Sequence, residues 1–457
     1  MLTNKECFLV LERALKEKGD FAELFFEDTE ETQIVQRSGV VQGVKGVRTY
    51  GVGLYLLDRT DSIYVYTNEV TLDALLALAD RACELMEDKK RSAPVRLVCP
   101  QRQNPDVFSA VAQHQADHAA KIRRMIEADH AIRSSGVGIQ NLNIHYFDSD
   151  QRVRVVNSEG LLADDRRVST RMRYDLTVGD GIRNAFRWED LYKPGDFSTF
   201  IDHDEHISFG IDLAHRLENT RSARAISPCR VPVILEAGVC GTLFHECCGH
   251  MLEGCAIAAR RSPFVGMIGQ RVASDKVTLV DDGTVPGALG SSLIDDEGHP
   301  RQRNVLIEKG ILKGYLNDRL NGRKLGTDSN GCGRRQNYTY APTSRMSNTF
   351  LLTGTDDNDQ MLSEIDQGLY VRSVGGGNGG AQFSIAVADG FWIEHGKITY
   401  PVKGVSLTGS GIDVMQKIDR VGTQLGSFDG SFCGAASGLI PTTVNQPRIR
   451  ISQMSLG

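Results

Sequence analysis

The chain is expected to be an α+β protein in two parts. The first is a mixed α/β region over residues 1–225, and the second is a β-rich region over residues 226–457. Three observations lead there. Helix and strand signals alternate through the first half. Beyond Arg260 most of the chain is short strand-type runs broken by Gly-containing turns. Glycine, at 47 of 457 residues, exceeds the usual level of about 7%, as a turn-rich β region requires.

The elements follow in order. The opening MLTNKECFLVLERALKEKG has an amphipathic pattern and a Thr3–Glu6 capping box. Charges inside its apolar run and the lack of a small-residue cleavage site argue against a signal peptide. ELFFE, TQIVQRSG, VRTYGVGLYLL and SIYVYT are β-type runs bounded by turn formers. TLDALLALADRACELM spaces its apolar residues for a helix. KKRSAPVRLVCPQRQNPD is a polar connector, and a further helix is expected from about Phe108 to Ile132. Strand signals resume in IQNLNIHYFDSD, RVRVVNSEG and RMRYDLTVGDG. The alternation over Arg171–Val178 predicts a half-buried antiparallel strand. FGIDLAHRLENTRSARAI reads as a helix and VPVILE as a strand, with one more helical stretch around Asp356–Asp366. The run GGGNGG at Gly375–Gly380 reads as a flexible loop. It lacks the Lys-Ser/Thr and the helix that a phosphate loop needs.

Composition narrows the function. A hydrophobic fraction of 40% and a charged fraction of 24% are those of a soluble globular protein. The formal charge of −6 argues against a nucleic-acid platform, which carries a basic face. No apolar run approaches the roughly 20 residues of a membrane span, so a cytoplasmic protein is expected. Ten cysteines fit that compartment when reduced. Cys7, Cys83, Cys99 and Cys229 are expected to be buried small hydrophobes. Cys240, Cys247, Cys248 and Cys255, by contrast, crowd around two histidines.

That crowd is VILEAGVCGTLFHECCGHMLEGC, a strand running into a helix that carries HExxxH. The shorter HExxH motif puts two histidines on one helix face to bind zinc, with the glutamate as base. Here His245 and His250 are five residues apart. On a regular helix five residues turn about 500°, which leaves the two imidazoles about 140° apart. Both reach one ion only if a π-bulge or local unwinding intervenes, and Gly249 is placed to ease either distortion. By themselves these residues leave three readings open: a catalytic metal site, a structural zinc closed by neighbouring cysteines, or cysteines that merely pack a buried helix.

Longer blocks resolve the choice by resemblance. They are NSEG at Asn157–Gly160, FHECCGHMLEG at Phe244–Gly254 and VTLVDDGT at Val277–Thr284. IDDEGHPRQRNVLIEKGILKGYLNDR at Ile294–Arg319 and GRRQNYTYAPTSRMSNTFLLTG at Gly333–Gly354 follow. FWIEHGKITYPVKG at Phe391–Gly404 and SFCG at Ser431–Gly434 complete the set. In this order the blocks resemble the TldD/PmbA family of metallopeptidases, also called modulators of DNA gyrase. The resemblance implies a barrel-like C-terminal domain. It also implies a Zn2+ ion held by His245, His250 and Cys433, with Glu246 as general base. Because the TldE/PmbA branch lacks these metal residues, the chain resembles TldD. It implies dimers, with a second copy or a TldE/PmbA-like subunit, and unfolded or extended peptides as substrate, with no direct nucleic-acid or membrane partner.

Two rival readings accompany this one: a non-catalytic peptide-binding subunit, and a protein with a structural zinc. The chain also departs from the family, reading CGAASG at Cys433–Gly438 where CGKDGQ is common. Finer roles are weighed for a few residues. Glu253 is placed either to orient a ligand imidazole or on the helix surface. Arg334, Tyr338, Tyr340 and Arg345 are weighed as oxyanion donors against structural roles. Asp295, Asp296, Glu297 and His299 are expected in a solvated turn rather than at a second metal.

Overall fold

The computed structural model describes residues 2–86, 97–105 and 117–457. The N-terminal half is built on a seven-stranded sheet. Four long antiparallel strands form its centre: Phe21–Arg37, Val40–Asp58, Ile139–Asn157 and Leu161–Gly179. ELFFE and TQIVQRSG therefore belong to one 17-residue strand. Its acidic centre stays in the ladder because the neighbouring strands answer it with cations: Asp28 pairs with Arg48 at 2.8 Å and with Arg152 at 3.2 Å. The two runs between Ile139 and Asn157 likewise merge into one strand.

Helices cover one face of this sheet. The Asn4–Ala14 helix, with its Thr3–Glu6 capping box, packs with Leu72–Leu85 over Leu24, Phe26 and Leu54. His118–Arg133 and Glu205–Thr220 cover Ile144, Met172, Tyr174 and Leu176. Arg171–Val178 alternates buried and half-buried residues as expected. The earlier part of the helix expected from Phe108, residues 108–116, and half of the Lys89–Asp106 connector lie outside the described residues.

The other face of the sheet docks the C-terminal half. Phe25, Val153 and Val155 meet Ile294, and Phe21 meets Leu320. A fully buried ion pair crosses the same contact, Arg335 to Glu23 at 2.8 Å. Asp295, Asp296 and Glu297 belong here too and are buried rather than solvated. Asp295 accepts from the backbone N–H groups of Glu297, His299 and Gly333. Asp296 accepts from the Arg335 N–H and faces Arg167 at 2.6 Å. Asp295 is satisfied by loop amides of its own half and Asp296 ties the two halves together through Arg167, whereas Glu297 accepts from the Arg319 N–H and keeps Oε1 without a partner among the described residues. His299 is half-buried.

In the C-terminal half, five strands close into a barrel: Gln367–Asn378, Cys229–Leu235, Pro447–Leu456, Ser406–Ser410 and Gln382–Glu394. Closure comes from pairing of the first with the last. A separate six-stranded sheet ends in the hairpin Asp429–Ala435 and Gly438–Asn445. One apolar core joins the barrel lining to the segment 240–252. Among the described residues, no helix is long and apolar enough to cross a membrane.

Candidate metal centre

Strand Cys229–Leu235 leaves the barrel and turns into a short helical segment over residues 242–252. Leu243, Phe244, Cys247 and Cys248 anchor it in the core. Residues His245–Gly249 form a π-helical turn, closed by the His250 N–H donating to the His245 carbonyl five residues back. The wider turn removes the angular offset that a regular helix imposes on a five-residue spacing. The two imidazole rings stand 4.9 Å apart, nearly perpendicular. Gly249 has φ −55 and ψ −56, ordinary helical values, so the expected conformational role for it is not met. What it provides is closeness: a Cβ there would sit 2.0 Å from Met346 Sδ.

The third group arrives from the hairpin. Cys433 pairs with Ile440 across the hairpin ladder, and its Sγ lies 3.2 Å from His245 Nε2 and 3.2 Å from His250 Nε2. All three donor atoms fall within 4.8 Å of one another. Arg345, fully buried, holds this strand in place. It donates to the Cys433 carbonyl at 2.6 Å, to Ser437 Oγ at 3.0 Å and to the Gly438 carbonyl at 3.0 Å. Ser437 belongs to the CGAASG departure, and it secures the hairpin turn from inside.

The donor set fits zinc. Two imidazole nitrogens and one thiolate are a soft, borderline set of the kind zinc takes. Bond lengths of about 2.0–2.3 Å put tetrahedral N···S edges near about 3.5 Å, within a few tenths of the spacing here. Electrostatics agree. Burial alone would raise the Cys433 thiol, but hydrogen bonds from His245 and His250 carry it down to about 4. Burial works against a charged His250, yet contacts with Cys433 and Glu253 carry it up to about 11. The pocket is thus arranged to hold a thiolate facing positive charge. Glu253 Oε1 lies 3.2 Å from His250 Nδ1, the orienting contact weighed for it above. His245 Nδ1 is buried with no hydrogen-bond partner, so Nε2, facing Cys433, carries its polar contact.

Other cysteines stand apart from this cluster. Cys248 contacts Cys247 and Met415, and Cys240 leans on the carbonyls of Val371 and Arg372. Cys99 is exposed and Cys83 and Cys229 are half-buried, so of the four solitary cysteines only Cys7 is fully buried. Short flanking sequence gave those three an apolar look that the fold does not cover.

Of the weighed oxyanion donors, Arg334 and Arg345 have their guanidinium groups on backbone carbonyls, and Tyr338 and Tyr340 are placed by main-chain hydrogen bonds. Arg334 donates to the carbonyls of Met346 and Pro441, and burial beside Arg301 pushes it down to about 9. Tyr338 sits at the contact between the halves, its N–H on Glu27 and its carbonyl accepting from Tyr64. Tyr340 is half-buried and its N–H donates to the Asn337 carbonyl. Sequence reasoning missed the glycine run: Gly375–Asn378 is strand, and the Gly380 N–H reaches the Glu246 carbonyl at 3.3 Å. On the far side of the Cys433 strand lies a cavity of about 1080 Å³, lined among others by Arg171, Trp188, Tyr192, Phe432 and Leu439.

Comparison with known proteins places this arrangement. Three family models match in sequence order: PmbA/TldA metallopeptidase domain 1 over residues 22–85, the central domain over 114–221 and the C-terminal domain over 228–457. A metalloprotease TldD homolog from Buchnera aphidicola is 30% identical, covering 100% of this chain and 96% of its own. A zinc metalloprotease TldD homolog from Saccharolobus solfataricus is 26% identical over 70% of this chain and 72% of its own. The crystal structure of TldE from Thermococcus kodakarensis shares the fold, with a TM-score of 0.75 at 16% identity over 99% of this chain and 100% of that one. From these matches and the convergence of His245, His250 and Cys433, the chain belongs to the PmbA/TldD metallopeptidase family.

Proposed function

We propose that the protein is a zinc-dependent peptidase acting on unfolded or extended peptides, with His245, His250 and Cys433 as ligands and Glu246 as general base. One observation carries the reading. Donor atoms separated by 183 and 188 positions in the chain converge on one point, and Glu246 lies in the same π-turn as the first of them. When bound, the ion supplies a Lewis acid that polarises the scissile carbonyl. Glu246, half-buried beside His245, takes a proton from attacking water and returns it to the leaving amine. Glu253 orients His250 through Nδ1, and Arg345 fixes the Cys433 strand.

Substrate geometry follows from the sheet edge. Asp429–Ala435 is the terminal strand of its sheet, pairing only with Gly438–Asn445 among the described residues. An extended peptide adds to such an edge through its main chain, which suits sequence-tolerant cleavage. A second copy or a TldE/PmbA-like chain is the proposed partner, and cytoplasmic residence is proposed with it.

The test compares wild type with Glu246→Gln on unstructured peptides, with zinc counted by mass spectrometry. Cleavage is expected to fall by about 100-fold or more at unchanged zinc. A zinc-loaded wild type that cleaves nothing, alone or with a TldE-like chain, defeats the proposal.

A further inference from the structure

The strands Gln367–Asn378 and Gln382–Glu394 close the barrel at their base and run on as a hairpin. Register shifts at Val371, Ser373 and Val374 interrupt the ladder on the way to the tip. Such irregularities bend a strand pair. The tip ends on the π-turn, where the Gly380 N–H donates to the Glu246 carbonyl at 3.3 Å.

Gly379 is the point of contact. A Cβ built on it would lie 2.3 Å from Glu246 Oε2 and 2.8 Å from the Glu246 carbonyl oxygen. Its φ lies outside the left-handed region, so backbone strain does not exclude a side chain there. Only the closeness of Glu246 does. The Glu246 carboxylate makes no hydrogen bond or ion pair among the described residues, so packing alone sets its direction. Two residues before the end of the strand, the same chain behaves differently: a Cβ on Gly376 meets nothing within 4 Å.

We propose that this hairpin tip is a positioning element for Glu246, with Gly379 as the residue that fixes its carboxylate. The inference rests on Glu246 acting as base and adds a segment about 130 positions away that the base needs. A carboxylate free to swing loses the alignment on which proton transfer depends, and misplacement of about 1 Å costs on the order of 100-fold in rate. An added methyl at Gly379 forces that misplacement, because the carbonyl side of the contact is backbone and does not yield.

The experiment uses the full-length, zinc-loaded protein and an unstructured peptide substrate. Gly379→Ala is expected to lower kcat at least tenfold, with KM and zinc content within twofold of wild type. Gly376→Ala is expected to leave all three unchanged. In a Glu246→Asp background, whose carboxylate is drawn back by one methylene, Gly379→Ala is expected to cost less than twofold more. A crystal structure of Gly379→Ala supplies a reading independent of turnover: the Glu246 carboxylate is expected to be displaced. A carboxylate left in place, a kcat within twofold of wild type, or losses that multiply in the Asp background would each overturn the proposal. Loss of zinc, or a proportionate rise in KM, would show disruption of the site instead and overturn it equally. A zinc-loaded wild type that cleaves nothing is a different failure, because it removes Glu246 as base.

Discussion

The Cys433 thiol is expected to be ionised far below the ordinary range in the metal-free protein. The cause is local: His245 and His250 each place Nε2 3.2 Å from Sγ, and together they override burial and bring the thiol down to about 4. An ordinary thiol ionises near about 8.5. At pH 6 the difference separates a group about 99% ionised from one less than about 1% ionised. The perturbation is a pH titration of chelator-treated protein, read as thiolate absorbance in the ultraviolet. The Cys433→Ser spectrum is subtracted to remove the other cysteines. A midpoint near 4 is expected, and His250→Gln should raise it by removing one of the two imidazoles. The sign for stability follows. Cys433, depressed on folding, stabilises the metal-free fold above about pH 8.5 in full, and that contribution is lost as pH falls through 4. His250, raised on folding, contributes in full below about pH 6.5, and its share is lost as pH rises through 11. Urea midpoints of wild type should therefore exceed those of Cys433→Ser by most between about pH 6.5 and 8.5. A thiol midpoint above about 7 would refute the reasoning, since it would mean that the imidazoles do not face the sulfur.

Three further outcomes are expected. Glu253→Gln removes the charge beside His250 Nδ1 and should weaken zinc about 10- to 100-fold, measured by competition with a chelator; unchanged affinity would show that the contact does not orient the ligand. Arg335→Met leaves Glu23 buried without its partner and should cost about 3–5 kcal/mol in urea unfolding, with part recovered on adding Glu23→Gln; a loss under about 1 kcal/mol would mean the pair is solvated. Gly249→Ala drives a methyl against Met346 Sδ and should lower the melting temperature, with recovery in Met346→Ala; equal melting of Gly249→Ala and wild type would sink that packing argument.

Much of the chemistry was legible in order and type of residues. HExxxH announced two imidazoles, and its five-residue spacing required a helix irregularity, which the π-turn at His245–Gly249 supplies. Alternation over Arg171–Val178 and the capping box at Thr3–Glu6 were equally local, because strand faces and helix starts depend on neighbours within a few positions. Cys433 was named only through resemblance, since nothing near SFCG distinguishes a ligand sulfur from a packed one.

Tertiary structure decided the rest. Asp295, Asp296 and Glu297 look like a solvated turn in sequence, yet the docking of two halves buries them against Arg167, Arg335 and loop amides. GGGNGG reads as a flexible loop until the closing of the barrel lays its end on Glu246. Gly249 is placed in the sequence to ease a helix distortion, but Met346, almost a hundred positions later, explains it. In each case the sequence alone determined what a residue is able to do, while burial and long-range approach determined what it does. Desolvation and steric exclusion are set by whichever distant segment the fold brings within a few ångströms.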